Sequence, residues 1–417
     1  MRRVLCIACV AFAFVLPAFA QQPADIGATL LKDPSIRAAL EAAKANEPDI
    51  LDYQVRLSEI PAPPFREAKR AAAVRQIFTE LGLQNVRIDE VGNVLGERPG
   101  LSPRPHLLFC AHLDTVFPEG TDVKTTRKGS MMAGPGIGDD ARGLAVLIGA
   151  VRALNQAKVQ TEGSITFCAD VGEEGLGDLR GVKHIFNQSM KGQIDAFVSV
   201  DGSGLGITNV GVGSHRYRVT YKGPGGHSFG AFGLANPIHA LGRAIAKIAD
   251  FQVPVKPKTT FNVGRIGGGT SVNSIPFEAW LEMDMRSSDD SALNAVDVKF
   301  HEALDQALAE ENARWNNRGK LTLEKQQVGD RPAGRTTEDS MIVQRTLSVT
   351  RALGATAGLG EGSTDSNIPM SLNIPAVTIG GGGRGSGAHS LSESFDSELS
   401  WQGTQRALLL AVALTSK

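Results

Sequence analysis

The chain is poor in cysteine and carries almost no net charge. Its 417 residues include four cysteines, and the formal charges sum to −1 at pH 7. Cys6 and Cys9 lie within the first twenty residues, which leaves Cys110 and Cys168 for the rest of the chain. Two cysteines do not build a disulfide framework, and whether these two pair is left open. The balanced charge and the lack of a basic run exclude bulk attraction to nucleic acid or to an anionic membrane.

The apolar run at the N-terminus is shorter than the roughly 20 residues that a membrane-spanning helix needs. The first twenty residues, MRRVLCIACVAFAFVLPAFA, combine two arginines, this apolar stretch and small residues up to Ala20. That pattern is typical of a secretion signal, and a retained membrane anchor is the alternative. We therefore predict a signal peptide over residues 1–20, cleavage near Ala20, and a periplasmic or secreted protein without a membrane anchor.

Apolar segments alternate with helical segments over much of the chain. PHLLFCAH, GSITFCAD and DAFVSVD read as buried strands, and ARGLAVLIGAVRALNQ reads as a helix between them. Such strands predict a mostly parallel sheet covered by helices on both faces. Between residues 211 and 328 the strands instead alternate apolar with polar residues, as strands with one wet face do. The predicted fold is an α/β domain of residues 21–210 and 329–417, interrupted by an inserted α+β domain of residues 211–328.

Polar side chains follow the predicted strands where those strands end. His112 and Asp114 follow one strand, Glu173 and Glu174 follow another, and Asp201 follows a third. In open α/β sheets, ligands collect at the carboxyl ends of the strands. A histidine two residues before an aspartate places both side chains on one face of the extended chain. The imidazole can then bind a metal through one nitrogen while the carboxylate accepts from the other, although a purely structural pair is the alternative.

Two further segments add Asp139 and His389 to this set. Asp139 lies in GPGIGDDARG, just before a predicted helix, where a helix cap is the alternative function. The adjacent carboxylates of Glu173 and Glu174 are costly unless cations gather them. A set of imidazoles and carboxylates without thiolate suits two zinc ions, with cobalt or manganese as substitutes. The glycine-rich runs lack both the dinucleotide spacing and the Gly-Lys-Ser/Thr element, which excludes a nucleotide site.

The motifs together resemble a family of dimetal exopeptidases that includes glutamate carboxypeptidase, peptidase T, aminoacylase and succinyl-diaminopimelate desuccinylase. The likeness covers nearly the whole chain after the signal segment and extends to GPGGHS, TSVNSIP and GSTDSNIP. It implies a zinc-exopeptidase-like α/β fold whose inserted domain is a dimerisation or lid domain. It also implies a homodimer formed through residues 211–328.

The resemblance implies a role for each metal-ligating residue. Asp139 would bridge the two ions. His112 and Asp201 would complete one metal site, and Glu174 and His389 would complete the other. The residues alone leave a structural role open for His112, Asp139 and Glu174.

The resemblance also implies residues for proton transfer and substrate binding. Glu173 would be the general base, Asp114 would orient the metal-binding histidine, and the Asp139–Asp140 peptide would be cis. His227 would reach the scissile carbonyl oxygen, often from the partner subunit, whereas without the resemblance it reads as an ordinary turn residue. Asn273 and Arg286 would hold a carboxylate or the backbone of the substrate, although Arg286 reads equally well as a solvated charge at the end of a strand. Ser363, Thr364 and Asp365 would bind substrate from the pocket wall.

The implied function is hydrolysis of the amide bonds of short peptides or amino-acid conjugates by a metal-activated water. Peptidase T and glutamate carboxypeptidase are equally close precedents. An N-acyl amino acid deacylase needs the same metal core and differs only in the shape of its pocket, so it stays the alternative. A catalytically silent scaffold on the same fold is a third possibility, against which the clustered acids of the site argue.

Overall fold

The computed structural model describes residues 25–416, so the predicted signal segment lies outside the described residues. Among residues 25–416, no helix combines the length and the apolar character that a membrane crossing needs. The α-helices are α1 Ile26–Leu30, α2 Pro34–Ala45, α3 Glu47–Ser58, α4 Ala68–Glu80, α5 Ala141–Gln156, α6 Arg180–His184, α7 Pro237–Ala249, α8 Asp290–Arg314, α9 Met341–Ala352, α10 Asn367–Ser371 and α11 Trp401–Thr415.

The strands form four sheets within the described residues. They are β1 Gln84–Ile88, β2 Val94–Arg98, β3 His106–His112, β4 Thr126–Lys128, β5 Met131–Ala133, β6 Ser164–Asp170, β7 Ala196–Val200, β8 Ile207–Gly211, β9 Gly213–Lys222, β10 Gly226–His227, β11 Thr259–Gly268, β12 Ser274–Ile275, β13 Glu278–Ser287, β14 Thr322–Arg331, β15 Gly334–Arg335, β16 Leu359–Gly362, β17 Ala376–Ile379, β18 Arg384–Ser386 and β19 Ser394–Asp396.

The largest sheet has the strand order β1-β2-β6-β3-β7-β17-β8-β15, with β16 also paired to β8. Its four central strands, β6, β3, β7 and β17, run parallel to one another. The flanking strands β1, β2 and β15 join antiparallel. The sheet is mostly parallel at its centre because these strands are apolar along nearly their whole length and are covered on both faces. The predicted α/β class is therefore confirmed.

Successive residues of the central strands contribute to two different cores. On β3, Leu107 and Phe109 pack with α2, α3, α4, α5 and α11, whereas Leu108 and Cys110 pack with α6 and α10 on the opposite face. Cys110 lies directly opposite Cys168 of β6, and both are buried free thiols. The sequence left open whether Cys110 and Cys168 form a disulfide. In the structure the two cysteines pack as small apolar side chains and form no disulfide.

The inserted sheet is antiparallel, in the order β11-β13-β9-β14, with α7 and α8 packed on one face. On β9, the apolar Val219 and Tyr221 belong to this second core, and the polar residues between them face away from it. The strand β14 runs to Arg331, past the boundary predicted at residue 328. A bulge between Gln327 and Gly329 lets the polar end of β14 stay paired with β9.

Two small sheets carry further predicted site residues. The sheet β18-β19-β5-β4 lies beside the main sheet, and the loop between β18 and β19 contains His389. The pair β10-β12 belongs to the inserted domain and contains His227. The predicted site is therefore assembled from the main sheet, a neighbouring small sheet and the insert.

Arg142 of α5 is a buried link between three parts of the α/β domain. Its Nε donates to the carbonyl oxygen of Gly381 over 2.7 Å, its Nη1 to Oε1 of Glu47 over 2.9 Å, and its Nη2 to the carbonyl oxygen of Ser400 over 2.6 Å. The side chain is fully buried. Removing this guanidinium is costly because it would leave the buried carboxylate of Glu47 without its charged partner.

We expect Arg142→Leu to lower the free energy of unfolding by about 3–5 kcal/mol, because it strands the buried carboxylate of Glu47. The control is Arg152→Leu on the same helix, where an arginine pairs with the more exposed Asp49 at 2.8 Å. That change should cost about 1 kcal/mol or less. Urea unfolding of both variants measures the difference, and equal losses would contradict a structural role for the buried arginine.

Candidate metal centre

The predicted ligands meet at the carboxyl edge of the parallel strands. His112 is the last residue of β3, and Asp201 directly follows β7. Glu174 lies in the turn after β6, Asp139 lies just before α5, and His389 lies in the loop between β18 and β19. Neighbouring parallel strands end at the same edge of a sheet, so residues far apart in the sequence come together here.

The carboxylate of Asp139 is at the centre of this cluster. Its Oδ1 lies 3.0 Å from Nε2 of His112, and its Oδ2 lies 3.1 Å from Nε2 of His389. The same nitrogen of His389 is 3.0 Å from Oε1 of Glu174, and Nε2 of His112 is 4.0 Å from Oδ1 of Asp201. Each imidazole thus faces one oxygen of the shared carboxylate and one further acid, which gives the cluster two halves.

The donor atoms fit a pair of divalent cations in type and in spacing. His112, Asp139 and Glu174 offer ligand atoms that all lie within 4.8 Å of one another, and so do His112, Asp140 and Asp201. Imidazole nitrogen and carboxylate oxygen are donors that suit zinc, cobalt and manganese. The cluster could therefore hold metal ions, and Asp140 belongs to one of these groups although the sequence did not predict it as a ligand.

The electrostatics of the cluster also favour added positive charge. Burial, with repulsion from Asp139, raises the pKa of Asp201 to about 7. Hydrogen bonds to Asp139 and Glu174 raise the pKa of His389 to about 10. Burial opposes ionisation of Asp139, but hydrogen bonds from both imidazoles hold its pKa below the usual range. Carboxylates gathered this closely are costly without cations.

The sequence left helix capping open as an alternative role for Asp139, and in the structure its neighbour Asp140 performs this capping. Asp140 is fully buried and caps α5, with Oδ1 accepting from the N–H of Gly143 over 2.9 Å and Oδ2 from the N–H of His112 over 3.1 Å. Asp139 faces the cluster instead. The peptide bond between the two aspartates is cis, as the resemblance implied.

Asp114 supports the turn that carries both glutamates. Its carboxylate accepts the backbone N–H groups of Gly172, Glu173 and Glu174 at 3.0, 3.0 and 2.8 Å. The nearest acceptor for Nδ1 of His112 is the backbone oxygen of Asp114 at 3.0 Å, and the predicted carboxylate oxygen is 3.6 Å away. The backbone oxygen of Asp114, and not its carboxylate, is the nearer acceptor for Nδ1 of His112, because the carboxylate already accepts three N–H groups.

A second buried carboxylate, that of Glu393, holds the loop in front of α5. It accepts the N–H groups of Gly136, Gly138 and Asp139 at 2.8, 2.8 and 2.9 Å. The sequence did not single out Glu393. Its position shortly after His389, in a glycine- and serine-rich loop, was the available signal, since an acid in such a loop often binds exposed backbone N–H groups.

The predicted base, Glu173, is buried and held by an arginine from the inserted domain. Nη1 of Arg331, the last residue of β14, donates to Oε1 of Glu173 over 3.1 Å and to Oγ of Ser363 over 3.2 Å. Its Nη2 donates to the backbone oxygen of Glu173. Burial raises the pKa of Glu173, and the charge of Arg331 acts in the opposite direction. Arg331 therefore positions both the side chain and the backbone of this glutamate.

A cavity of about 350 Å³ lies in front of the cluster. Apart from the predicted ligands and Glu173, its wall is formed by Val116, Gly175, Ser363, Arg216, Arg286 and Arg331. Arg286 and Ser363 were predicted to bind substrate, and their position on this wall is compatible with that role. Arg216 and Arg331 were missed because polar positions in an alternating strand also arise wherever a strand faces solvent.

Thr364 and Asp365 lie behind the cavity wall. Oγ1 of Thr364 lies 2.7 Å from Oγ1 of Thr378, and Asp365 is fully buried. Neither residue is part of the described cavity wall, and their predicted contact with the substrate stays a prediction. After Ser363 the chain turns inward towards α10, so residues that are adjacent in the sequence do not share the pocket.

His227 and Asn273 lie close together on the inserted domain, away from the cavity wall of the same chain. The N–H of Ser228 donates to the backbone oxygen of Asn273 over 2.9 Å, which links the two segments. Both side chains are exposed. Their predicted contact with substrate stays a prediction.

Comparison with known sequences agrees with this geometry. Residues 108–413 match the family described as Peptidase family M20/M25/M40. A succinyl-diaminopimelate desuccinylase of Nitrosospira multiformis is 29% identical over 262 residues, covering 58% of this chain and 68% of that protein. The Bacillus subtilis protein YqjE is 23% identical over 351 residues, covering 80% of this chain and 90% of its own length.

Solved structures show the same fold. The aminopeptidase PepT of Bacillus cereus superposes with a TM-score of 0.69 at 21% identity, covering 88% of this chain and 98% of its own. The dipeptidase Dug1p of Saccharomyces cerevisiae superposes with a TM-score of 0.72 at 16% identity, covering 91% and 98%. A dinuclear metal-binding peptidase of Bacillus subtilis, YXEP, gives 0.64 at 19% identity, covering 88% and 98%. The family resemblance predicted from the motifs is confirmed.

We expect Asp114→Asn to weaken metal binding roughly 10- to 100-fold, because an amide nitrogen would face the N–H groups that now bind a carboxylate. Competition with a chelator measures the affinity. Asp122→Asn is the control, since this exposed aspartate only accepts the N–H of Lys124 over 3.0 Å. Metal affinity equal to that of the unmodified protein in both variants would contradict the supporting role of Asp114.

We expect Arg331→Met to lower kcat roughly 10- to 100-fold, as the loss of a hydrogen bond between charged groups implies. Arg331→Lys should recover part of this loss, because it restores the charge next to Glu173. The exposed Arg335, changed to Met, is the control. Steady-state kinetics, with unfolding midpoints measured in parallel, test the prediction. Unchanged turnover in a folded Arg331→Met variant would rule out the positioning role.

Proposed function

Because the chain belongs to peptidase family M20/M25/M40, we propose that it is a dizinc exopeptidase that acts on short peptides or amino-acid conjugates. Metal-dependent hydrolysis of peptide or amide bonds follows from the family. The proposal adds three points to what the family shows: the metal is zinc, the enzyme is an exopeptidase, and the substrate is small. The observation that carries the proposal is the Asp139 carboxylate between the imidazoles of His112 and His389.

The proposed ligands divide between two ions. His112 and Asp201 would hold one ion, Glu174 and His389 the other, and Asp139 would be shared. When bound, such a pair of ions polarises a carbonyl group and lowers the pKa of water. Cys110 and Cys168 are buried in the core, so the proposed set of metal-binding atoms contains no thiolate. Imidazole and carboxylate donors favour zinc over softer metals.

Glu173 is the proposed proton carrier. Its carboxylate lies on the cavity wall beside the metal cluster, where it can take a proton from the attacking water and return it to the leaving amine. Arg331 holds the glutamate from one side, and Asp114 holds its backbone N–H from the other. This double support keeps the base oriented through both proton transfers, which favours catalysis because a misplaced base loses rate steeply.

The relatives support two substrate classes. PepT and Dug1p are described as an aminopeptidase and a dipeptidase, which favours peptides. The relative from Nitrosospira multiformis is described as a desuccinylase, which favours our second candidate, an N-acyl amino acid deacylase. Both reactions break an amide bond next to the same metal pair, so the walls of the cavity decide between them.

Export and dimerisation are further parts of the proposal. The N-terminal sequence supports export through a signal peptide cleaved near Ala20. Exposed apolar side chains on the inserted domain, including Phe229, Phe232 and Val272, support a homodimer through this domain. The strand β11 is an edge strand of the inserted sheet, so a partner strand has free backbone groups to pair with.

A metal-dependence assay tests the function. The chain without residues 1–20 is stripped with a chelator, reloaded with zinc, cobalt or manganese, and given tripeptides, C-terminal glutamate conjugates and N-acetyl amino acids. We expect hydrolysis of at least one class, lost on stripping and restored on reloading. Glu173→Ala should keep its two ions per chain and lose turnover roughly 10²- to 10⁴-fold.

The control variant is Glu119→Ala, which removes an exposed glutamate outside the cavity wall. A loaded protein that binds two ions and hydrolyses no amide in the panel would support the silent scaffold and overturn the proposal. Near-normal turnover in Glu173→Ala would refute the base assignment while leaving the metal centre in place.

A further inference from the structure

We infer that the α/β domain has a further metal site, buried behind the proposed catalytic ions, and that this site holds a structural zinc ion. Its ligands are two thiolates and two carboxylates, from Cys110, Cys168, Asp170 and Asp365. The catalytic pair keeps its own two ions, so the chain would bind three in all. This inference goes beyond the proposed hydrolytic function and does not depend on it.

The pairing of β3 and β6 places the two cysteines side by side. Cys110 lies directly opposite Cys168 in the parallel register. Asp170 follows Cys168 by two residues on β6, so both side chains share one face of the sheet. The two sulfur atoms and one carboxylate oxygen of Asp170 all lie within 4.8 Å of one another. These three atoms can therefore share one cation.

A fourth ligand comes from a distant part of the chain. Asp365 lies two residues before α10 and is fully buried. Burial raises the pKa of Asp365 well above its usual range, and repulsion from Asp170 adds to this effect. Burial likewise raises the pKa of Asp170, with a further contribution from Cys168. Groups that oppose one another's ionisation in this way are stabilised by a shared cation.

The protein offers the two carboxyl groups no other partner. Both side chains are fully buried, and within residues 25–416 none of the four oxygens of Asp170 and Asp365 has a partner in hydrogen-bond geometry. Native structures contain few buried polar atoms of this kind, because each has lost its water and gained nothing in return. Two such side chains facing the same pair of sulfur atoms therefore indicate a ligand.

Other buried acids of this domain are satisfied by the backbone. Asp114, Asp140 and Glu393 each accept three N–H groups. Protonation alone would not give Asp170 and Asp365 a comparable environment. A neutral carboxyl group has no charge, but it still carries a donor and an acceptor that need partners.

The four proposed ligands suit zinc. Thiolate sulfur and carboxylate oxygen both bind zinc, and structural zinc sites are typically closed by four protein ligands. Four ionised ligands around Zn²⁺ leave two negative charges, as four cysteines do in many structural sites. Magnesium and calcium prefer oxygen ligands throughout, so the two sulfur atoms argue against them.

The position of the site favours a structural role. Cys110 precedes His112 by two residues on β3, and Asp170 lies opposite His112 in the register. An ion held there would join β3, β6 and the segment before α10, directly behind the strand ends that carry the catalytic ligands. None of the four proposed ligands lies on the described cavity wall, so a substrate in that cavity does not touch this ion.

Cobalt absorption tests the site, because thiolate ligands give a charge-transfer band in the near ultraviolet that imidazole and carboxylate ligands lack. The chain without residues 1–20 contains all of the described residues, and its only cysteines are Cys110 and Cys168. It is produced in a medium in which cobalt replaces zinc, so that the buried site fills while the chain folds. We expect the thiolate band, together with one more ion per chain than the catalytic pair holds.

X-ray absorption of the zinc form gives a second readout on the unmodified protein. Sulfur neighbours should appear at about 2.3 Å from zinc, beside nitrogen and oxygen neighbours at about 2.0–2.2 Å. A chelator should remove the catalytic ions first, because His389 is 55% exposed whereas the four proposed ligands of the buried site are fully buried. The share of sulfur in the signal should therefore rise during chelation.

Matched variants assign the ion to the cysteines. Cys168→Ala should remove one ion per chain and with it the cobalt band. Ser199→Ala is the control, since Ser199 lies opposite Cys110 on the other neighbouring strand and is equally buried. Its hydroxyl group also has no hydrogen-bond partner among the described residues. The control should keep the band and the ion. Zinc should raise the unfolding midpoint of the control more than that of Cys168→Ala, which loss of packing alone would not produce.

The outcomes separate this inference from the proposed function. Absence of the cobalt band and of sulfur neighbours in the unmodified protein would overturn the buried site, whether or not a variant folds. A disulfide between Cys110 and Cys168, or a band of undiminished strength in Cys168→Ala, would overturn it as well. The hydrolytic function would stand in each case. A protein that shows the band and hydrolyses no amide would refute the proposed function alone.

Discussion

The carboxylate of Asp139 lies between two imidazoles, and the placement of every other residue of the site depends on this arrangement. His112 comes from the end of a central strand and His389 from a loop near the C-terminus, so the contact forms only when the whole α/β domain is folded. Glu393 holds the loop before Asp139, and Asp140 anchors the helix after it. Asp139 is thus held from both sides by its neighbours in the fold.

The turn with Glu173 and Glu174 is held in a comparable way. Asp114 binds its backbone N–H groups from the α/β domain, and Arg331 binds its carbonyl and carboxylate oxygens from the insert. Buried polar groups that are fully satisfied make a rigid structure, whereas partly satisfied ones are costly. Glu173 and Glu174 therefore depend on both domains for their position.

Much of this arrangement could be predicted from the sequence because strands in a parallel sheet end at a common edge. His112, Glu174 and Asp201 were predicted from that rule, together with the family resemblance. Arg216 and Arg331 were not, because an alternating strand does not reveal whether its polar face meets water or a catalytic cavity. Thr364 and Asp365 are not part of the described cavity wall, because the direction of the chain after Ser363 depends on the packing of α10, which no local pattern reveals.

Side chains of both domains line the cavity. The proposed metal ligands all come from the α/β domain, whereas Arg216, Arg286 and Arg331 come from three strands of the insert. Arg331 also holds Glu173, and Arg216 contacts the backbone of Gly175, so the insert touches the turn that follows β6. Exchanging the insert alone would therefore disturb that turn, and an engineered specificity needs both domains to be changed together.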